Sequence, residues 1–131
     1  MKVLLIAKHS RTGGAAIASS RLLEALKARQ VDVKMLVQEG ERLPMLNAVV
    51  IPEGADDLKV RKALLNDLGM EIGGGLGALA GKIWRVGLMG HSSCQRNVFL
   101  FLSGLETILK SQGVKVREGA LEAASSVYAG E

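Results

Sequence analysis

Several residues of this sequence could bind a ligand, and the first group lies near the N-terminus. Thr12, Gly13 and Gly14 follow a short apolar run at residues 2–7 and precede a segment whose apolar residues have helical spacing. A glycine turn that leads into a helix presents free backbone N–H groups and the positive end of the helix dipole, which together bind phosphate groups. The turn is therefore a candidate site for an anion or a sugar nucleotide. Because it departs from the G-x-G-x-x-G pattern, a plain tight turn is the alternative interpretation.

The residue types that most often bind metals or act as nucleophiles do not form a set in this sequence. His91 and Cys94 are three positions apart, and His9 is distant from both. Two groups are too few for a tetrahedral zinc site, and this pair has no third group that would orient it for nucleophilic catalysis. Lys82 lies beside a predicted strand and is expected to be a surface lysine. We predict no metal site and no catalytic residue.

The composition is typical of a single soluble domain. The 131 residues include 17 basic and 13 acidic side chains, for a net charge of +4, and only four aromatic residues. No aromatic residue alternates with the densest basic group, Lys59, Arg61 and Lys62, so we predict that the protein does not bind nucleic acid. The single cysteine, Cys94, fits a reducing compartment. No apolar run approaches the ~20 residues that span a bilayer, so we expect a soluble, cytoplasmic protein that does not bind a membrane.

The secondary structure that must position these groups follows from apolar periodicity. Alternating or continuous apolar residues predict strands at residues 2–7, 31–37, 46–52, 70–72, 83–89 and 114–116. Helical spacing predicts helices at residues 14–30, 57–68 and 119–129, and a further helix that starts at Ser92 and Ser93 and ends near Gly113. Asp56 is placed to cap the second helix, and Gly69 to end it.

Together these elements predict one α/β domain over residues 1–131. Its mixed sheet would have about five or six strands, with a parallel strand–helix–strand unit at the N-terminus. The glycine-rich loop at residues 73–81 would connect two antiparallel strands into a hairpin. Helices are expected to cover at least one face of the sheet.

A long pattern in the middle of the chain carries a family resemblance. Residues 70–93 include M-E-I-G-G-G-L-G and G-K-I-W-R-V-G-L-M-G-H-S-S. This stretch resembles the small C-terminal domain of the alanine-glyoxylate (serine-pyruvate) aminotransferases, which are class V pyridoxal-phosphate enzymes, and the resemblance extends from about Arg42 to Tyr128. It implies that Arg85, at the arginine of the motif W-R-[IV]-G-L-M-G, binds the substrate carboxylate, which suits a planar bidentate donor. A surface ion pair is the alternative for Arg85.

The first forty residues resemble a different family. M-K-V-L-L-I, R-T-G-G-A-A-I-A and V-D-V-K-M-L-V are similar to the opening strand–helix–strand unit of bacterial glycosyltransferases that have two Rossmann-like domains. We therefore predict an engineered chimera that joins a glycosyltransferase-like segment, 1–41, to an aminotransferase small-domain-like segment, 42–131, and that is not an enzyme. One alternative is a fragment of a pyridoxal-phosphate-dependent aminotransferase that contributes carboxylate binding. The other is a nucleotide- or anion-binding module at Thr12, Gly13 and Gly14.

The two resemblances also lead to predictions about cofactors and partners. In the aminotransferase family the Schiff-base lysine, the acid at the ring nitrogen and the phosphate cradle lie in the large domain, so we predict that this chain holds no cofactor. Residues 97–102 contain five consecutive apolar side chains, more than one helical face can bury. This excess predicts either a homodimer through the helix from Val98 to Leu109 or a rearranged core.

Overall fold

The computed structural model describes residues 45–129, which form a mixed α/β fold of three strands and three α-helices. The strands are β1 (Leu46–Val50), β2 (Gly73–Gly74) and β3 (Ile83–Gly87). The helices are α1 (Asp57–Leu68), α2 (Gln95–Ser111) and α3 (Ala120–Ala129), and single 3-10 turns occur at Gly77–Leu79 and Gly90–Ser92. The strands predicted at 2–7 and 31–37, the helix predicted at 14–30 and the turn at Thr12 to Gly14 lie outside the described residues.

The sheet of the described part is small and antiparallel. β3 is its central strand, with β1 on one side and β2 on the other. All of β1 pairs with β3, from Leu46 opposite Gly87 to Val50 opposite Ile83. β2 contributes only two glycines, which pair with Arg85 and Trp84. The α/β class and the antiparallel hairpin are therefore confirmed, whereas the count of five or six strands is not.

The two faces of the sheet have different surroundings. Because successive strand residues point to opposite faces, Trp84 and Val86 share one face of β3, and Ile83 and Arg85 share the other. The first face meets the helices and belongs to the main hydrophobic core, to which α2 contributes the largest share of buried side chains: Val98, Phe101, Leu102, Leu105 and Leu109. On the other face Ile83 forms a smaller buried cluster with Ala48.

Local signals in the sequence fix both ends of α1 as predicted. The carboxylate of Asp56 accepts a hydrogen bond from the backbone N–H of Lys59 at 3.0 Å, which caps the helix start. Gly69 ends the helix with a φ of 64°, a left-handed conformation that glycine adopts without strain. Both predictions are confirmed.

Several predicted elements and boundaries are wrong, and the strands predicted at 46–52 and 83–89 end two residues early, at Val50 and Gly87. Residues 70–72 are not a strand, and pairing begins one residue later, at Gly73. Residues 114–116 are not a strand either, because the N–H of Val114 bonds the carbonyl of Leu109 at the end of α2 instead of a neighbouring strand. Ser92 does not cap α2, since its hydroxyl bonds Met89 within the preceding 3-10 turn, and α2 begins only after Cys94.

The apolar excess of α2 is buried largely within the same chain. Five side chains of the helix are buried in the core, and two others, Phe99 and Ile108, pack against it while half-buried. The ring of Phe99 lies 5.9 Å from the ring of Tyr128 on α3. Most of the apolar excess is therefore buried within the described residues, and a rearranged core stays a prediction. The homodimer through the helix from Val98 to Leu109 stays a prediction.

Candidate functional site

Arg85 is half-buried at the middle of the central strand, and its guanidinium group lies across the edge strand. Its Nε donates a hydrogen bond to the carbonyl oxygen of Gly74 at 2.7 Å. No described carboxylate, within residues 45–129, forms an ion pair with it. The surface ion pair that was the alternative for Arg85 is therefore not formed in this part of the chain. The bond through Nε leaves the Nη1–Nη2 end of the guanidinium as the edge that can meet a carboxylate.

The absence of a side chain at Gly73 permits this position of Arg85. A Cβ atom placed on Gly73 would lie 3.0 Å from Nη2 of Arg85, and 3.3 Å from both Cζ and Nε. These distances are shorter than ordinary carbon contacts, so a side chain at this position would push the guanidinium away from the strand. Gly73 is thus part of the geometry of the site.

A second guanidinium, that of Arg61 on α1, lies against the other face of the same strand. A Cβ atom placed on Gly74 would be 3.7 Å from Cζ and Nε of Arg61 and 3.8 Å from its Nη2. The near equality of these distances means that the plane of the group faces Gly74. Successive strand residues face opposite sides of a sheet, so the guanidinium groups of Arg85 and Arg61 lie on opposite sides of β2.

Asp57 on α1 connects this arrangement to the core. Its carboxylate accepts hydrogen bonds from Arg61, with Nε to Oδ1 at 2.8 Å and Nη2 to Oδ2 at 3.2 Å. Its Oδ1 also accepts a bond of 2.7 Å from the indole Nε1 of Trp84, a side chain that is completely buried. The bonds from Arg61, and after them the bond from Trp84, lower the pKa of Asp57 below its ordinary value of 3.8.

The other residues considered from the sequence do not join this group. Thr12, Gly13, Gly14 and His9 lie outside the described residues. His91, Cys94 and Lys82 are exposed. Within residues 45–129 no group of three or more His, Cys, Asp or Glu side chains could hold a metal ion. A search of the same residues found no helix long and apolar enough to cross a membrane.

The described residues do not fit a pyridoxal cofactor. That cofactor needs a lysine for its aldehyde and an acid at its ring nitrogen. Every lysine of the described part is exposed. Asp57, the carboxylate with the most buried partner, is already bonded to Arg61 and Trp84. Residues 45–129 thus bring together no lysine and acid that fit this cofactor, and carboxylate binding by Arg85 stays a prediction.

Arg85 was predicted from the sequence, whereas the other five residues of this site were not: Asp57, Arg61, Gly73, Gly74 and Trp84. The spacing of Asp57 and Arg61, four apart on a helix, is a visible signal for an ion pair. The spacing does not predict what the ion pair packs against, because the sequence does not show that Asp57 meets Trp84, 27 positions further on. Gly73 was assigned to a turn, whereas it pairs with Arg85 in the sheet.

Comparison with known proteins shows that the chain is similar to aminotransferases. No family model matches it. It is 39% identical over 101 residues to (S)-ureidoglycine–glyoxylate transaminase of Bacillus subtilis, an alignment that covers 76% of this chain and 24% of that enzyme. It is 29% identical over 125 residues to serine–glyoxylate aminotransferase of Arabidopsis thaliana, which covers 95% of this chain and 29% of that enzyme. The chain therefore spans about a quarter of the length of these curated relatives.

Solved structures give the same relation. The structure of alanine–glyoxylate aminotransferase from Nostoc matches 73% of this chain and 25% of that chain with a TM-score of 0.64 and 41% identity. The homologues and structural neighbours of this chain are thus aminotransferases. One relative found by both sequence and structure is ureidoglycine–glyoxylate aminotransferase of Bacillus subtilis, whose crystal structure matches 88% of this chain and 30% of that chain, with a TM-score of 0.78 and 35% identity.

These comparisons confirm the resemblance to aminotransferases and overturn the prediction of a non-catalytic chimera. An alignment over 101 residues is longer than the segment 42–131, and one that covers 95% of the chain includes most of residues 1–41. Similarity to aminotransferases thus extends into the segment that was assigned to a glycosyltransferase, an assignment that gains no support. The prediction that the chain is not an enzyme is wrong as well, because the relatives named here are aminotransferases and the chain matches part of them. The findings favour the alternative of an aminotransferase fragment.

Proposed function

We propose that this chain is the substrate-carboxylate-binding part of a pyridoxal-phosphate-dependent aminotransferase, with Arg85 as the residue that binds the carboxylate. The observation that carries the proposal is the hydrogen bond of 2.7 Å from Arg85 Nε to Gly74, together with the glycine that lets the guanidinium lie across β2. This bond fixes the plane of the guanidinium before a ligand arrives, so that less conformational entropy is lost on binding. Similarity to aminotransferases over 76% of the chain supports the class of reaction.

The proposed role of the chain in the reaction is to bind and orient. The cofactor supplies the chemistry of amino-group transfer when it is bound by other parts of the enzyme. Arg85 would hold an amino or keto acid by its carboxylate through two parallel hydrogen bonds. A two-point contact fixes the direction of the substrate as well as its position, which places the reacting carbon at a constant distance from the cofactor.

The test is a domain exchange. The full chain replaces the part of the Bacillus subtilis transaminase that it matches, and consumption of glyoxylate is measured. We expect an active hybrid in which Arg85→Gln raises the KM for glyoxylate by about a hundredfold, the loss that follows when one partner of a buried charge pair is removed. Arg96→Gln, which changes an exposed arginine at the start of α2, is the matched control and should leave KM unchanged. A hybrid that keeps its KM after Arg85→Gln contradicts the proposal.

A further inference from the structure

β2 has no side chains of its own to stabilise its position in the sheet. It consists of two glycines at the edge of the sheet, so it has no side chain that could pack into the core. The backbone continues its pairing by one further bond, from the N–H of Gly75 to the carbonyl of Ile83 at 2.9 Å. Glycine also leaves the unfolded backbone more freedom than any other residue, so an unsupported glycine strand fluctuates readily. The carbonyl that orients Arg85 therefore needs support from another element.

The described structure offers that support from α1. The guanidinium of Arg61 lies over Gly74, 3.7 Å from the position that a Cβ atom on this glycine would take. Asp57 fixes Arg61 through two hydrogen bonds and is itself fixed by the indole of Trp84. Trp84 is also the residue opposite Gly74 in the sheet. The carboxylate of Asp57 thus bonds both Trp84, which pairs with Gly74, and Arg61, which lies over Gly74.

We propose that Arg61, held by Asp57 and Trp84, is a positioning residue that keeps the Gly73–Gly74 strand in place and so fixes the guanidinium of Arg85. This inference rests on the proposed function for its biological meaning, since Arg85 is the carboxylate-binding residue only there. The positioning role of Arg61 itself can be tested without a measurement of enzyme activity. Arg61 lies over Gly74 on one face of the strand, and the Nε of Arg85 bonds the carbonyl of Gly74 from the other.

Hydrogen exchange of the Arg85 Nε–H, measured by NMR on the full 131-residue chain, tests the proposal directly. This proton is the one that bonds the Gly74 carbonyl. Arg61→Gln loses the paired bonds to Asp57, so we expect the Arg85 Nε–H to exchange about tenfold faster, because the Gly73–Gly74 strand opens more easily. The backbone amides of α2 should keep their exchange rates. Unchanged exchange at Arg85, or equal acceleration in α2, overturns the proposal.

Two further variants keep the test decisive. Arg61→Lys retains a positive charge near Asp57 and lacks the planar group over Gly74, so it should also speed exchange at Arg85; this variant carries the test if Arg61→Gln does not fold. Lys110→Gln removes another pair four residues apart, the 2.6 Å bond to Glu106 on α2, and is the matched control. Folding of every variant is checked by the emission of Trp84, the only tryptophan. A folded Arg61→Lys with wild-type exchange at Arg85 overturns the proposal.

The activity measurement separates this inference from the proposed function. In the domain-exchange enzyme, Arg61→Gln should raise the KM for glyoxylate by about tenfold, through a loss of preorganisation of Arg85, and leave kcat within about twofold. If exchange at Arg85 accelerates while Arg85→Gln has no effect on KM, the positioning role stands and the proposed function fails. If Arg85→Gln raises KM while exchange at Arg85 is insensitive to Arg61, the function stands and the positioning role fails.

Discussion

At the scale of single residues, the site depends on small distances around two glycines. Arg85 approaches Gly73 so closely that one added methyl group would meet Nη2 at 3.0 Å. At the next glycine, Gly74, an added methyl group would make only ordinary contacts with Arg61, and this residue contributes its carbonyl oxygen to the site. A carboxylate site of this kind is therefore sensitive to a change that removes no charge and no hydrogen-bonding group.

We expect Gly73→Ala to weaken carboxylate binding while the chain stays folded. The new methyl group displaces the guanidinium of Arg85 and breaks the alignment of its Nε with Gly74, so the KM of the domain-exchange enzyme for glyoxylate should rise by about tenfold. Gly87→Ala is the control. Gly87 lies on the same face of β3 as Arg85, and a Cβ added there meets only Met89 Cε at 3.9 Å. Equal KM values for the two alanine variants would refute this account of Gly73.

The low pKa of Asp57 predicts a dependence of stability on acid. A carboxyl whose pKa is lower in the folded than in the unfolded state stabilises the fold above the unfolded value and loses that contribution as pH falls through the folded value. The ordinary value is 3.8 and the folded value lies below it, so the loss begins below pH 3.8. Urea unfolding of the wild type and of Asp57→Asn should differ near neutral pH, and the difference should shrink as pH falls below 3.8. A difference that stays constant into acid would show that Asp57 does not titrate in this way.

At the scale of elements, the loop between β2 and β3 determines where the edge strand lies. Gly75 forms the first backbone bond after β2, and a Cβ atom placed on it would overlap the carbonyl of Leu79 in the 3-10 turn. A backbone carbonyl cannot move aside as the end of a side chain can. The turn is therefore packed against the strand at this point, and the register of β2 depends on it.

Two alanine substitutions in this loop should differ in their cost. Gly75→Ala creates the overlap with Leu79 and is expected to lower the free energy of unfolding by about 3 kcal/mol or more, the upper end of the cost of overpacking. Gly77→Ala meets nothing within 4 Å and only places alanine at a φ of 53°. It should cost about 1–2 kcal/mol, the penalty of a left-handed conformation for a residue with a Cβ atom. Thermal or urea unfolding measures both, and a smaller loss in Gly75→Ala than in Gly77→Ala would disprove the close contact.

At the scale of the whole molecule, the described part is a helix-covered sheet that presents Arg85 on the face away from the helices. The helices α1, α2 and α3 share one core with the Trp84 face of the sheet. The Arg85 face is the one on which the substrate and the rest of the enzyme would meet in the proposed function. Because the chain covers about a quarter of its curated relatives, the cofactor site of that enzyme would be built from residues beyond those described.

The homodimer is a prediction that belongs to this scale. It was based on the apolar excess from Val98 to Leu109, most of which is buried within the chain. If the half-buried Phe99 and Ile108 are also part of a subunit contact, sedimentation velocity should show a weight-average coefficient that rises with protein concentration, and Ile108→Lys should abolish the rise. A single concentration-independent species with the mass of one chain would rule the dimer out.

Elements whose signals are local could be predicted from the amino-acid sequence. Asp56 and Gly69 mark the two ends of α1 because capping involves only the neighbouring turn of backbone. The motif around Arg85 identified the aminotransferase relatives. Apolar runs also predicted where β1 and β3 begin, although both strands end two residues before the predicted boundary.

How these elements form a site depends on the packing between them. Asp57 and Trp84 are 27 positions apart, and their hydrogen bond depends on how α1 packs on the sheet. The glycines of β2 have no side-chain pattern that could set their pairing, so the sequence could not separate a strand from a turn at Gly73. The two guanidinium groups on either side of that strand come from a helix and from the neighbouring strand. Such contacts arise from packing between distant segments, which periodicity along the chain does not encode.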